Sequence, residues 1–182
     1  MRLTSKSLGE YADKLIWLFI SLYIFAFGYL CFLKYYSFGY NWDLASDITV
    51  LWNSIHGKFL YYPFLEQIIF GAHLYLIILL ILPIYALFPH PLTLLFLQTI
   101  FLALAAYPLY CLATLKLNKT LALLIGISYL LYPTLGSINL LETHFEIYAI
   151  FFLFFALYYF EKENFKKFLI FILLAISCKE NV

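Results

Sequence analysis

Two aspartates, four residues apart, stand in the most polar stretch between two strongly apolar regions. Asp43 and Asp47 belong to residues 41–57, NWDLASDITVLWNSIHG. Apolar residues recur there at helical spacing, at Leu44, Ile48, Leu51 and Ile55. The spacing predicts an amphipathic helix with both carboxylates on one face. Such a carboxylate can act as a general base toward a hydroxyl. Asp43 could equally cap the helix by accepting bonds from its first-turn amides, so both roles stay open.

Other ionisable residues stand in short polar intervals between apolar segments. They are His73, Glu142, His144, Glu146, Lys179 and Glu180. Histidine and lysine can stabilise the charge that develops on a departing phosphate. His73 could instead be an interfacial histidine bonded to backbone carbonyls. The acids and the histidine between 142 and 146 have metal-like spacing, although a short solvated interval explains them equally.

Composition indicates an all-α, polytopic bundle of transmembrane helices. The 182 residues are 65% hydrophobic and 12% charged, and the mean hydropathy is +0.93. A soluble domain of this size could not bury so much apolar surface. The net charge of +1 gives no support for nucleic acid as a partner. The three cysteines show neither metal nor disulfide spacing.

The lysines predict how the chain crosses the membrane. Short loops rich in Lys and Arg stay cytoplasmic, which places residues 1–14 and the loops near 116–119 and 161–167 inside. Eight of the eleven basic residues lie in these three regions. The chain must then leave and return once between its first span and Lys116, so one of the two apolar segments 68–88 and 92–115 does not cross. His73 and Pro83 make 68–88 the poorer span.

Five crossings follow, in a multi-pass protein of the cell membrane with a cytoplasmic N-terminus. They are 15–33, 92–115, 120–138, 147–160 and 168 onward, the last four within 92–182. Residues 34–91 form an outer loop in which the amphipathic helix is followed by a juxtamembrane or re-entrant segment, 68–88. This arrangement gathers the ionisable residues at the extracytoplasmic face. Lys179 and Glu180 fall in the outer part of the last span, where charged side chains usually line a cavity.

The order of several motifs resembles a known family. They are D-L-x6-L-W-N-x2-H-G from Asp43, G-x-H ending at His73, the run LPIYALFPHPLTLLFLQTIFLALAAYPLY, then YLLYP, THFE and a final K-E-N. Together they resemble the predicted membrane proteins called domain of unknown function 2079. That family is similar to the C-type glycosyltransferases, membrane enzymes that move a sugar from a polyprenyl-phosphate carrier.

The resemblance implies a lipid-linked-sugar glycosyltransferase with an extracytoplasmic site. In that superfamily an acid in the first outer loop is the catalytic base or a metal ligand, and Asp43 matches it. Asp43 and Glu142 are then the catalytic candidates, and His73, His144, Lys179 and Glu180 the candidates for binding the substrate phosphate. A divalent metal is left open, with Asp43, Asp47 and His144 as candidate ligands.

The resemblance also leaves two other functions open. The family continues beyond the last residue of this chain, which predicts an N-terminal portion, or half of a split protein whose second chain supplies further spans. A non-catalytic fragment or assembly partner of such an enzyme is therefore the first alternative. A small transporter is the second, although transporters place polar residues near the midplane in both halves.

Overall fold

The protein is a helical bundle with one small β-hairpin. The computed structural model describes residues 5–180, with side chains from Gly9 onward. The side chains of Arg2 and Lys6 in the predicted cytoplasmic segment, and Asn181 of the last motif, lie outside the described residues. The helices are α1 (Ser5–Tyr36), α2 (Trp42–Ile55), α3 (Ile78–Leu87), α4 (Pro91–Leu104), α5 (Ala106–Thr114), α6 (Lys119–Leu130), α7 (Pro133–Leu141), α8 (Ile147–Glu161) and α9 (Phe165–Ile176). The all-α prediction is confirmed apart from the hairpin.

The helices differ in whether they could cross a membrane alone. Within the described residues, Gly9–Tyr36 and Pro91–Thr114 are long and apolar enough, and α6 with α7, bent by 40°, forms a third candidate. The predicted spans 147–160 and 168 onward correspond to α8 and α9, of 15 and 12 residues. At 1.5 Å per residue these reach about 22 and 18 Å, less than the roughly 30 Å of a hydrocarbon core.

Contacts near the ends of the helices define two ends of the bundle, which we call the basic end (around Lys116 and Lys119) and the pocket end (around Lys34 and Leu141). At the basic end, Lys119 pairs with Asp13, and Lys116 with Glu161 at 3.0 Å. At the pocket end, the Lys34 ammonium at the end of α1 donates to the carbonyl oxygens of Leu140 and Leu141 at the end of α7. The chain runs from the basic end to the pocket end in α1, and returns in α4 and α5. It then runs to the pocket end in α6 and α7, back to the basic end in α8, and to the pocket end again in α9. Residues 5–180 therefore run along the bundle five times.

The segment 68–88 is not a single helix. Its helical part is α3, ten residues with Pro83 inside, which extends about 15 Å. Before α3 the chain forms the antiparallel hairpin of β1 (Tyr61–Tyr62) and β2 (Gln67–Ile68), with 3₁₀ turns at Pro63–Leu65 and Ile69–Gly71. Alternation over two residues is too short a signal to predict such a hairpin. Since α8 and α9 are also shorter than a spanning helix, the length of α3 does not decide the matter, and the expectation that 68–88 does not span stays a prediction.

Two hydrophobic clusters hold these elements. One cluster, near the basic end, packs α1 against the five helices α4, α5, α6, α7 and α8, around Ile16, Leu102 and Leu123. The other, near the pocket end, packs α2 and α3 onto α4, α8 and α9 around Leu51, Ile78 and Leu95. Gly126 lets α6 lie close to α1, since a Cβ at this position would lie 2.7 Å from the side chain of Ile16.

Two helix ends differ from the sequence-based expectation. The span predicted at 120–138 is two helices, since α6 ends at Leu130, the chain bends by 40°, and α7 begins at Pro133 and continues to Leu141. Proline is compatible with the first turn of a helix, so a new helix can begin at once. Lys179 and Glu180 were predicted inside the last span, whereas α9 ends at Ile176 and both follow it in a turn.

Candidate functional site

A cavity of about 120 Å³ opens at the pocket end, where four parts of the chain meet. They are α2, the segment after β2, the connection between α7 and α8, and the turn after α9. Its ionisable lining residues are Asp43, Asp47, His73, His144, Glu146 and Lys179, and aromatic rings of Trp42, Tyr62, Tyr75 and Phe145 complete the wall. Helical spacing puts Asp43 and Asp47 on the same face of α2, as predicted, and that face borders the cavity.

Asp43 lies opposite His144. Its Oδ2 is 4.0 Å from His144 Nε2, a charge contact too long for a hydrogen bond. The Asp43 side chain is 49% exposed and accepts no hydrogen bond from residues 5–180. Asp43 therefore lies near a histidine, and its carboxylate is free to contact a ligand.

Glu142, not Asp43, caps α2. The helix begins at Trp42 after Asn41, whose side chain makes no cap bond. Glu142 Oε1 accepts from the Asn41 amide at 2.6 Å, and Oε2 from the Leu44 amide at 3.2 Å. The capping alternative for Asp43 is thus wrong, because a carboxylate from another segment occupies those amides. Glu142 is buried outside the cavity lining, so the structure gives this predicted catalytic residue a position behind the site.

Asp47 is a buried carboxyl at the back of the cavity. It is 9% exposed and its Oδ2 accepts from the Thr143 hydroxyl at 2.9 Å. Burial raises the pKa of Asp47 to about 8; the negative charges of Asp43 and Glu146 add to the rise, whereas the Thr143 bond and Lys179 oppose it. Asp47 therefore holds a proton at neutral pH.

Lys179 points into the cavity and pairs with an acid. Its Nζ donates to Glu146 Oε1 at 3.0 Å, and the same oxygen lies 4.0 Å from His144 Nδ1. His144 thus stands between two carboxylates, with Asp43 on its other side. Glu146, noticed in the sequence only for its spacing, is the residue that holds Lys179.

His73 and Glu180 pair at the mouth of the cavity. His73 Nδ1 lies 3.1 Å from Glu180 Oε1, and Glu180 Oε2 accepts from the Leu74 amide at 3.0 Å. The Ile77 amide also donates to the Ser177 carbonyl oxygen at 2.8 Å. These bonds fasten the turn after α9 to the segment before α3. Both side chains of the pair are about half exposed, so their attraction contributes little by itself.

The predicted site residues do not form a metal centre. Among residues 5–180, no three His, Cys, Asp or Glu side chains are arranged to hold a metal ion. Of the metal candidates, Asp47 is protonated and bonded to Thr143, and Asp43 faces His144 alone. Glu142 and Glu146 point to different partners, so the spacing between 142 and 146 does not converge on one point.

Sequence reasoning missed two residues that support the site, Thr143 and Gln98. Thr143 binds Asp47. Gln98 is fully buried in α4 and bonds the backbone between α7 and α8. A lone amide in an apolar span was the available signal, because polar side chains at that depth usually have a specific partner.

Comparison with known proteins gives one match. A family described as predicted membrane protein (DUF2079) matches residues 34–182, which is most of the chain. No curated protein and no solved structure matches.

Proposed function

This chain belongs to the DUF2079 family of predicted membrane proteins, and we propose that its cavity transfers a sugar from a polyprenyl-phosphate carrier to a hydroxyl acceptor. Asp43 is the general base. The observation that carries this proposal is the Asp43 carboxylate, which has no hydrogen-bond partner among residues 5–180 and faces His144 across the cavity.

The chemistry requires one proton transfer and one substitution. Asp43 accepts the proton of the acceptor hydroxyl, whose oxygen bonds to the anomeric carbon of the sugar. The bond from that carbon to the phosphate oxygen breaks, and its electron pair leaves with the phosphate. A positioned base contributes about 10²- to 10⁴-fold in rate. No step is assigned to a metal.

The departing phosphate needs a cation, and Lys179 is the ammonium that borders the cavity. Its present partner is Glu146, so binding of the donor exchanges Glu146 for a phosphate oxygen. His144 lies beside the same acid and can donate from its ring to the phosphate. His73 and Glu180 stand at the mouth, where the phosphate would enter.

The carrier's lipid chain needs an apolar surface. The first and fourth helices form a groove of about 550 Å³ whose lining includes Phe25, Phe32 and Phe96. A second groove of about 370 Å³ shares Phe96 and Ile100 with it and extends to Ile84 of α3. An isoprenoid chain fits the character of both grooves, because its burial there removes apolar surface from water and headgroups.

A second candidate is a non-catalytic assembly partner of such an enzyme. The observation that favours it is that two of the cations proposed for the phosphate already pair with acids, Lys179 with Glu146 and His73 with Glu180. In this role the ion pairs stay closed and hold the loops together. A transporter is disfavoured, since the ionisable groups of the cavity lie at one end of the bundle.

Turnover distinguishes these candidates. The protein in lipid nanodiscs is given polyprenyl-phosphate hexoses of several kinds together with a panel of hydroxyl-bearing acceptors, and release of the free carrier phosphate is measured. Asp43→Asn should reduce the rate at least about 100-fold. Glu66→Gln, an exposed acid of the same loop outside the cavity, should leave it unchanged. Equal turnover in Asp43→Asn and the parent protein would remove Asp43 as the base, and no turnover with any donor would favour the assembly partner.

A further inference from the structure

A glutamine inside the bundle holds the connection between α7 and α8. Gln98 of α4 is fully buried. Its Nε2 donates to the carbonyl oxygens of Asn139 at 3.2 Å and Glu142 at 3.0 Å. Its Oε1 accepts from the His144 amide at 3.0 Å. This side-chain orientation is the one that satisfies two acceptors and one donor.

These bonds provide partners for peptide groups where α7 ends and the connection to α8 begins. The chain is not helical between Leu141 and Ile147, so its peptide groups lose their partners within the helix. A buried backbone group without a partner costs several kcal/mol in an apolar environment. Gln98 supplies such partners from a neighbouring helix, so the buried peptide groups of the connection between α7 and α8 are satisfied.

The two peptide groups that Gln98 binds nearest the cavity flank a single residue. The Glu142 carbonyl precedes Thr143, and the His144 amide follows it. Fixing both groups fixes the direction of the Thr143 side chain, whose hydroxyl binds Asp47. It also sets where His144 stands relative to Asp43, 4.0 Å away.

We propose that Gln98 is a positioning residue of the cavity, acting through the peptide groups on either side of Thr143 to place Thr143 and His144 opposite Asp47 and Asp43. Its importance for turnover rests on the proposed function. Its effect on geometry does not, so the two can be tested apart.

The geometric test is amide hydrogen exchange of the peptide that covers residues 142–146. Gln98→Met keeps the length of the side chain and removes its three hydrogen bonds. Exchange in this peptide should rise on the order of tenfold or more, while peptides of α1 and α6 stay as in the parent protein. Thr99→Val is the matched control, because Thr99 is equally buried on the same helix but bonds the Asn139 side chain and not the connection's backbone.

The outcomes separate positioning from packing. Unchanged exchange at 142–146 in Gln98→Met would overturn the inference, as would a rise of equal size throughout the bundle. If Gln98→Met does not assemble, Gln98→Glu is measured instead. Its side chain keeps an acceptor for the His144 amide, so exchange in the peptide of residues 142–146 should rise less than exchange in the peptide of residues 139–141. Where the parent protein turns over a donor, Gln98→Met should lower kcat by a larger factor than it raises KM for the donor. A parent protein without turnover would refute the proposed function, and the exchange result would still decide the role of Gln98.

Discussion

Asp43 and Asp47 lie one turn apart on the same face of α2, yet their surroundings differ. Asp43 is half exposed and accepts no hydrogen bond from the described residues, whereas Asp47 is buried against Thr143. Burial raises the pKa of Asp47 to about 8. Because Asp47 is neutral, Asp43 is the negatively charged carboxylate of α2 in the cavity and the one that can serve as a base.

A pH dependence of stability follows from Asp47. The folded protein keeps this proton up to about pH 8, whereas the unfolded chain releases it near the usual value of 3.8. Between these values the unfolded state binds fewer protons, so the free energy of unfolding falls as the pH rises from about 4 to 8. Thermal unfolding in detergent should show this fall, and Asp47→Asn should reduce it and be the more stable protein at pH 8.

Glu163→Gln, an exposed acid at the basic end, serves as the control and should follow the parent protein. Identical pH profiles for Asp47→Asn and the parent protein would contradict the assignment of a buried, neutral Asp47.

At the scale of elements, α2 is held at its N-terminus by a residue about one hundred positions away. The carboxylate of Glu142 accepts from the amide of Asn41, just before the helix, and from the amide of Leu44 in its first turn, in the position where a helix N-terminus favours negative charge. Glu142→Ala should therefore loosen the start of α2 by about 0.5–2 kcal/mol. Amide exchange of residues 41–46 should rise correspondingly, by about 2- to 30-fold, since 1.4 kcal/mol is a factor of about ten.

Glu146→Ala provides the comparison for this prediction. Glu146 lies on the same connection and loses its pair with Lys179, but it makes no bond to α2. Amide exchange of residues 41–46 in the Glu146→Ala variant should match that of the parent protein. A similar increase in both variants would mean that general loosening of the connection, and not the cap, controls α2.

How much of this could be read from the sequence depends on the range of the interaction. The apolar spacing of α2 is local, so the helix and the shared face of its two aspartates were predictable. The cap by Glu142 was not predictable, because the amides at a helix N-terminus can donate to a carboxylate from any segment that folds beside them. The role of Gln98 was hidden for the same reason: its partners are peptide groups of another helix connection.

At the scale of the whole molecule, the prediction of the membrane crossings rested on the distribution of lysines and prolines. The excess of lysine in three regions required an even number of crossings between one region and the next, and Pro83 with His73 marked the segment that would not cross. Residues 5–180 run along the bundle five times, and two or three of these passes are long and apolar enough to cross a membrane, so the five crossings stay a prediction. The shortness of α8 and α9 was not foreseen, since apolar length in a sequence does not show where a helix ends in a turn such as 177–180.

The most direct test of the account is the side of the membrane on which each end lies. Single cysteines at Lys58, Pro89 and Glu163, all exposed, are introduced after Cys31, Cys111 and Cys178 are replaced by alanine. An impermeant thiol reagent applied to intact cells should label the cysteines at positions 58 and 89, on either side of α3, and not the one at position 163. Labelling at 58 and 163 but not at 89 would show that α3 helps to cross the membrane, and would contradict a site gathered at one extracytoplasmic face.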